Sequence, residues 1–164
     1  MIELPSSKKA WLDFLYYDVG KQRYDFYVSG LYKKKDDEII STKWLTYSQA
    51  CFHLDKDDDW LIGWINQRQI LPIEVVLDLE DRQRTKVILQ ELDHRGIRYF
   101  TYDTGSRGVH IHLFFDRELS VKEKSKIIAH YGADSQKASQ KTQIALEFTP
   151  HWKSGRNKEL IAWK

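Results

Sequence analysis

Asp78 and Glu80 stand two residues apart at the end of the apolar run IEVVLDL, and His110 and His112 share that spacing in the run VHIHLFF. A third acid, Glu147, follows Ile144-Ala145-Leu146. On a strand, a spacing of two puts side chains on one face. Carboxylates gathered there repel unless a cation neutralises them. Mg²⁺ and Mn²⁺ are hard ions that prefer oxygen ligands and leave positions open for phosphate. Such sites serve phosphoryl or nucleotidyl transfer. The turn Thr104-Gly105-Ser106-Arg107-Gly108 runs directly into the histidine strand. It offers backbone N–H groups, a hydroxyl and a guanidinium, a set suited to phosphate. The tail after Pro150 carries His151, Lys153, Arg156 and Lys158 against one acid, Glu159, with Trp152 among them. These bases could hold a triphosphate or a nucleic-acid strand, and the indole could stack on a base. Each feature alone has an ordinary explanation in solvated acids, a glycine hairpin or a basic terminus; their convergence carries the chemical reading.

The elements that bring these residues together are legible in the second half. Ile73–Leu79 is β-branched and reads as a strand. Asp81–His94 has apolar residues at helical spacing and is followed by Gly96 as a stop. Ile97–Tyr102 and Val109–Phe115 read as two strands of a hairpin across the 104–108 turn. Ser120 and Glu123 form a capping-box pattern that opens a helix closed by Gly132. Ile144–Phe148 alternates as a fourth strand. The order β-α-β-β-α-β is that of a ferredoxin-like, RRM-like unit, with expected strand order 4-1-3-2. The apolar sets must face the helices, so Asp78, Glu80, His110, His112 and Glu147 share the other face. Residues 1–70 read as an N-terminal α/β module. Residues 11–19 and 24–32 are strand candidates, residues 33–38 a hairpin tip, and residues 46–64 a helical stretch with Asp57, Asp58 and Asp59 at a helix start.

The totals bound the classes. The chain has 164 residues, 41% hydrophobic and 13% aromatic, enough for one domain with a real core and too many core formers for disorder. No apolar run reaches the ~18 residues of a membrane helix. The N-terminus lacks a signal-peptide pattern, and one cysteine, Cys51, allows neither an internal disulfide nor a Cys-rich zinc site. A cytoplasmic protein is expected. The formal net charge of +2 names no partner, so any affinity for nucleic acid must come from where the charges sit.

Asp78-Leu79-Glu80 after a hydrophobic run, Gly108-Val109-His110 on a later strand and Leu146-Glu147 on another resemble the three motifs of the archaeo-eukaryotic primase superfamily, in the family's order and on its RRM-like sheet. The resemblance spans about residues 70–160. It implies an α+β, primase-like catalytic domain over residues 1–164, with an N-terminal module (1–70) and a catalytic module (71–164). It implies two divalent metals, Mg²⁺ or Mn²⁺, on Asp78, Glu80 and Glu147, and an incoming NTP or dNTP contacted by His110. Ser106 and Arg107, with Lys153, Arg156 and Lys158, would line the triphosphate pocket. The implied activity is that of a DNA primase or primase-polymerase: a 3′-hydroxyl attacks the α-phosphate on a single-stranded DNA template, releasing pyrophosphate. A helicase or another replication protein would be a partner. Lacking a zinc-binding cluster, the chain resembles a minimal core such as those of mobile elements, or a domain of a longer protein.

Two other readings stay open on the residues. His110-Ile111-His112 also matches the His-hydrophobic-His pair of rolling-circle Rep endonucleases, for which Tyr131 is the only downstream nucleophile candidate. A non-catalytic RRM-like binder of single strands would use aromatics on the sheet face, where Phe114 is the one available.

Overall fold

The computed structural model describes residues 4–33, 36–41, 44–54, 64–138, 142–151 and 154–164. The sheet that carries the histidines is built from β6 (Glu74–Leu79), β7 (Tyr99–Asp103), β8 (Val109–Phe114) and β10 (Glu159–Trp163), in the order β10-β7-β8-β6. All its pairings are antiparallel. A second sheet has the order β4-β1-β5-β9, from Leu45–Thr46, Tyr27–Ser29, Gln67–Gln69 and Gln143–Ala145. The hairpin of β2 (Leu31–Lys33) and β3 (Ile39–Ser41) stands apart from both, and its tip falls partly outside the described residues, as do Asp57, Asp58 and Asp59.

Helix α3 (Arg82–His94) starts on Asp81, whose carboxylate accepts from the N–H groups of Gln83 and Arg84. Helix α4 (Val121–Tyr131) has both hydrogen bonds of the Ser120/Glu123 capping box and ends on Gly132 at φ 64°. Their apolar faces pack on Val75, Leu77, Leu79, Ile111 and Leu113. This is the helix-covered face that the alternation of the strands requires.

The opposite face is also covered over much of its length. Residues 11–19 form no strand. The chain makes α1 (Lys8–Asp13), capped by Ser7, and continues as a π-helical stretch, Phe14–Val19. This helix lays the fully buried Trp11 edge-on against Phe100 and Tyr102 of β7, with ring centroids 5.3 Å away in each case. Helix α2 (Tyr47–Leu54) adds Tyr47, stacked on Phe26. One apolar cluster therefore runs from Trp11 and Leu12 to Phe100, Tyr102 and Leu146, joining both halves of the chain.

The fourth strand lies elsewhere than the 4-1-3-2 order expects. β9 pairs with β5 in the second sheet, extended by the Leu146 N–H bond to the Asn66 carbonyl, and β10 takes the far edge beside β7. Phe148, at φ 63°, turns the chain out of the extended path after Glu147. The α+β class stands, but β6 is left as the edge of its sheet. Among the described residues, no helix is long and apolar enough to cross a membrane.

Candidate active site

β6 and β8 run antiparallel with Asp78 directly opposite His110. The imidazole Nε2 lies 3.5 Å from Asp78 Oδ1, and Lys137 Nζ, from the short 3₁₀ turn Ser135–Ala138, lies 3.8 Å from Oδ2. Glu80 follows just past the strand end. Together with Ser106, Arg107 and His110 of the hairpin, these side chains line one open cavity of about 330 Å³. Gly108 stands where the hairpin crosses the end of β6. A Cβ there would lie 2.7 Å from the Leu79 carbonyl oxygen and 3.6 Å from Asp78 Oδ1. The small residue in the Gly108-Val109-His110 motif is thus required by the close approach of two strands.

Charge in this cavity is set by its neighbours. Burial pushes the Asp78 carboxyl up, but contact with His110 and the positive charges of Lys137 and Lys158 outweigh it and hold the group below its ordinary value. His110 goes the other way. Burial, then the charge of Lys158, keep its imidazole neutral against the pull of Asp78. Its buried Nδ1 has no hydrogen-bond partner among the described residues.

The 104–108 turn is organised internally. Thr104 Oγ1 accepts from the N–H groups of Ser106 and Gly108, and Asp103 accepts from that of Gly105. Arg156 donates to the carbonyls of Gly105 and Ser106. The turn therefore offers the cavity the side chains of Ser106 and Arg107 more than a nest of free N–H groups, and Arg156 braces it from outside. Lys153 and Trp152 lie outside the described residues.

Glu147 does not join Asp78 and Glu80. It is fully buried, and its carboxylate accepts from Arg68 Nε and Nη2 at 3.0 and 2.9 Å and from Lys158 Nζ at 3.1 Å. Arg68 also makes a bidentate pair with Glu74, both bonds 2.8 Å. His112 Nδ1 lies 2.7 Å from Glu74 Oε2. Burial lowers the Lys158 ammonium to about 8 in spite of Glu147, and the two carboxylates stay ionised because Arg68 lies between them. The predicted polar face is thus real but divided. Its outer end is the open cavity; its inner part, under α1, is a closed network of two cations, two carboxylates and a histidine. Lys158 is consequently held inside rather than presented to the cavity. Arg68, Glu74 and Lys137 were not singled out by the sequence patterns.

The donor set fits a magnesium-like ion in one specific manner. No group of three or more metal-ligating side chains occurs among the described residues. Mg²⁺ is commonly held by one or two carboxylates plus substrate phosphates. Asp78 and Glu80 on one cavity, with Arg107 and Lys137 beside them, suit that arrangement.

The other two readings find little support in the geometry. His112 is locked to Glu74 beneath α1, so the two histidines do not face one open site. Tyr131 is buried in the apolar cluster under the helices. Phe114 packs against Trp11 and Phe100, so the sheet face of a simple RRM-like binder is occluded.

No protein-family model matches this sequence, and no curated protein does. Solved structures do. The AEP domain of the cyanophage S-2L primase-polymerase superposes with a TM-score of 0.57 at 13% identity, over 85% of this chain and 82% of that one. The catalytic domain of primase RepB′, solved in complex with initiator DNA, gives 0.55 at 10% identity, over 92% and 84%. A longer structure of primase RepB′ gives 0.53 at 10% identity, over 93% of this chain and 55% of that one. The chain has the fold of an archaeo-eukaryotic primase catalytic domain.

Proposed function

We propose that residues 1–164 form one catalytic unit, a primase-like nucleotidyltransferase that copies single-stranded DNA from NTPs or dNTPs. The observation that carries this reading is the convergence of Asp78, Glu80, Ser106, Arg107, His110 and Lys137 on one cavity, in a chain with the primase fold. Asp78 and Glu80 hold Mg²⁺ or Mn²⁺ together with the nucleotide's phosphates. The ion, when bound, neutralises phosphate charge and favours the ionised form of an attacking hydroxyl. Neutral His110 donates from Nε2 at the point where Asp78 and the phosphates meet, without adding a charge that would compete for the carboxylate. Ser106, Arg107 and Lys137 orient the triphosphate and offset its charge. Glu147 and Lys158 support the site from behind through the buried network, and Arg156 fixes the turn that bears Ser106 and Arg107.

Primer synthesis on a single-stranded template with Mn²⁺ or Mg²⁺ tests the reading. Wild type should form template-directed product, and Asp78→Asn should lower the rate at least about 100-fold while remaining folded, a direct ligand mattering no less than the outer-shell partners whose loss costs 10–100-fold. Equal rates in the two proteins would remove Asp78 from the chemistry.

A further inference from the structure

A second cavity, of about 280 Å³, opens on the β4-β1-β5-β9 sheet and is lined by Tyr27, Trp44, Gln69 and Gln143. Gln143 also lines the cavity of Asp78 and His110, so the two spaces are neighbours. The register shows how they connect. Gln69 pairs with Gln143, and the next same-face row is Ser29, Gln67 and Ala145, of which Gln67 and Ala145 line the first cavity. Tyr27 sits beside Gln69, its N–H donating to Gln69 Oε1 at 3.3 Å. Trp44 lies two residues before Thr46, the partner of Tyr27 in the register, and lines the same cavity as Tyr27. Two aromatic side chains therefore mark one end of a continuous surface, two glutamines its middle and the carboxylates its far end. Tyr27 is 48% exposed, although it packs in a sheet whose reverse side is core.

We propose that this cavity holds a base of the single-stranded template, stacked on Tyr27 and Trp44, as the strand runs along the sheet toward the first cavity. The proposal rests on the reading of the first cavity as the nucleotide site, which fixes the direction of the strand. A stacking platform of aromatics suits any base, because every base has a π-face. The exposed amide side chain of Gln143 can donate to and accept from a base edge without adding charge. Among the described residues that line this cavity none is a carboxylate, which would repel a phosphodiester, whereas Asp78 and Glu80 line the first cavity, where metal is expected. The incoming nucleotide is the less suitable occupant. Tyr27 stands two strands from Gln143, roughly 10 Å at the usual strand spacing, and the first cavity already holds the phosphate-binding side chains.

The test is fluorescence anisotropy of a labelled oligo(dT), without metal or nucleotide. Tyr27→Ala and Trp44→Ala should each weaken binding by about tenfold or more. Tyr27→Phe, which keeps the ring, should bind as wild type does. An abasic oligomer of equal length should bind wild-type protein as weakly as oligo(dT) binds Tyr27→Ala, an arm that needs no variant to fold. Wild-type affinity for oligo(dT) in both alanine variants, or equal affinity of wild type for the abasic oligomer, would overturn the proposal. So would loss of nucleotide affinity in Tyr27→Ala with oligonucleotide affinity intact, which would put the incoming base in this cavity. Strand binding that depends on Tyr27 in a protein without synthesis would sink the catalytic reading alone. Synthesis with unaltered strand affinity in Tyr27→Ala and Trp44→Ala would sink the stacking site alone.

Discussion

Replacing Glu147 by glutamine removes one of two negative charges from a closed cluster that also holds Arg68 and Lys158. The remaining carboxylate, Glu74, keeps its bidentate bonds to Arg68, so the uncompensated charge falls on Lys158, which is 0% exposed. Breaking a buried pair by removing one partner costs about 3–5 kcal/mol. For a chain of this size each kcal/mol moves Tm by roughly 2–4 °C, giving a drop of about 6–20 °C. Adding Lys158→Met restores the balance of one cation and one carboxylate, and should recover much of the loss. The assay is thermal unfolding by circular dichroism of the two single variants and the double variant, beside a Mn²⁺ titration of each well below its Tm. Stability should fall in Glu147→Gln and partly return in the double variant, with the metal affinity of Glu147→Gln close to that of wild type. A Glu147→Gln protein that melts with wild type but binds Mn²⁺ far more weakly would refute the reasoning, because it would describe a metal ligand rather than a network member.

Stability should also depend on pH through His112. Burial, then the charge of Lys158, lower its pKa against the hydrogen bond to Glu74, so the folded state holds it neutral while the unfolded chain protonates it near pH 6.5. Its contribution is complete above about pH 6.5 and is lost progressively as pH falls below that value toward the lower folded-state pKa. Unfolding scans of metal-free protein should show Tm falling between pH 7.5 and 5.5, with a shallower slope in His112→Gln; a Tm that rises toward pH 5.5 would mean that the imidazole is charged inside. Gly108→Ala places a methyl group 2.7 Å from the Leu79 carbonyl oxygen, which must move with the end of β6. The overpacking should cost about 1–3 kcal/mol in denaturant titrations and depress incorporation beyond the fraction unfolded. Lys137→Ala should raise KM for the nucleotide about tenfold, the loss of one charge-assisted contact, while the protein stays folded. An unchanged KM would take Lys137 out of the phosphate site.

The parts of the fold that were legible in the sequence are those governed by local rules. The alternation of Val109–Phe114 and the apolar run before Asp78 gave two strands whose antiparallel pairing sets Asp78 against His110. Ser120, Glu123 and Gly132 marked the ends of α4 because caps are short-range hydrogen-bonding devices. What could not be read depends on contacts between distant segments. Gln67-Arg68-Gln69 has no strand pattern of its own, yet Arg68 meets Glu147 across 79 positions and so turns an expected metal ligand into a buried counter-ion. The aromatic run 11–19 suits a strand by composition but packs as a helix, because Trp11 and Phe14 fill the space over Phe100. That covering is also what divides the polar face into an open and a closed part. The tail stands out in the sequence for its basic residues, yet Glu159–Trp163 pairs with β7 as the edge strand β10.

The most direct test of the account is Mn²⁺ binding in the presence of a nucleoside triphosphate, followed by the electron paramagnetic resonance signal of the free ion, at a temperature where every variant is folded. Wild type and Glu147→Gln should take up the ion with similar affinity, and Asp78→Asn and Glu80→Gln should each bind it at least about tenfold more weakly. Wild-type affinity in Asp78→Asn and Glu80→Gln would contradict the claim that these two carboxylates, with the nucleotide's phosphates, hold the metal.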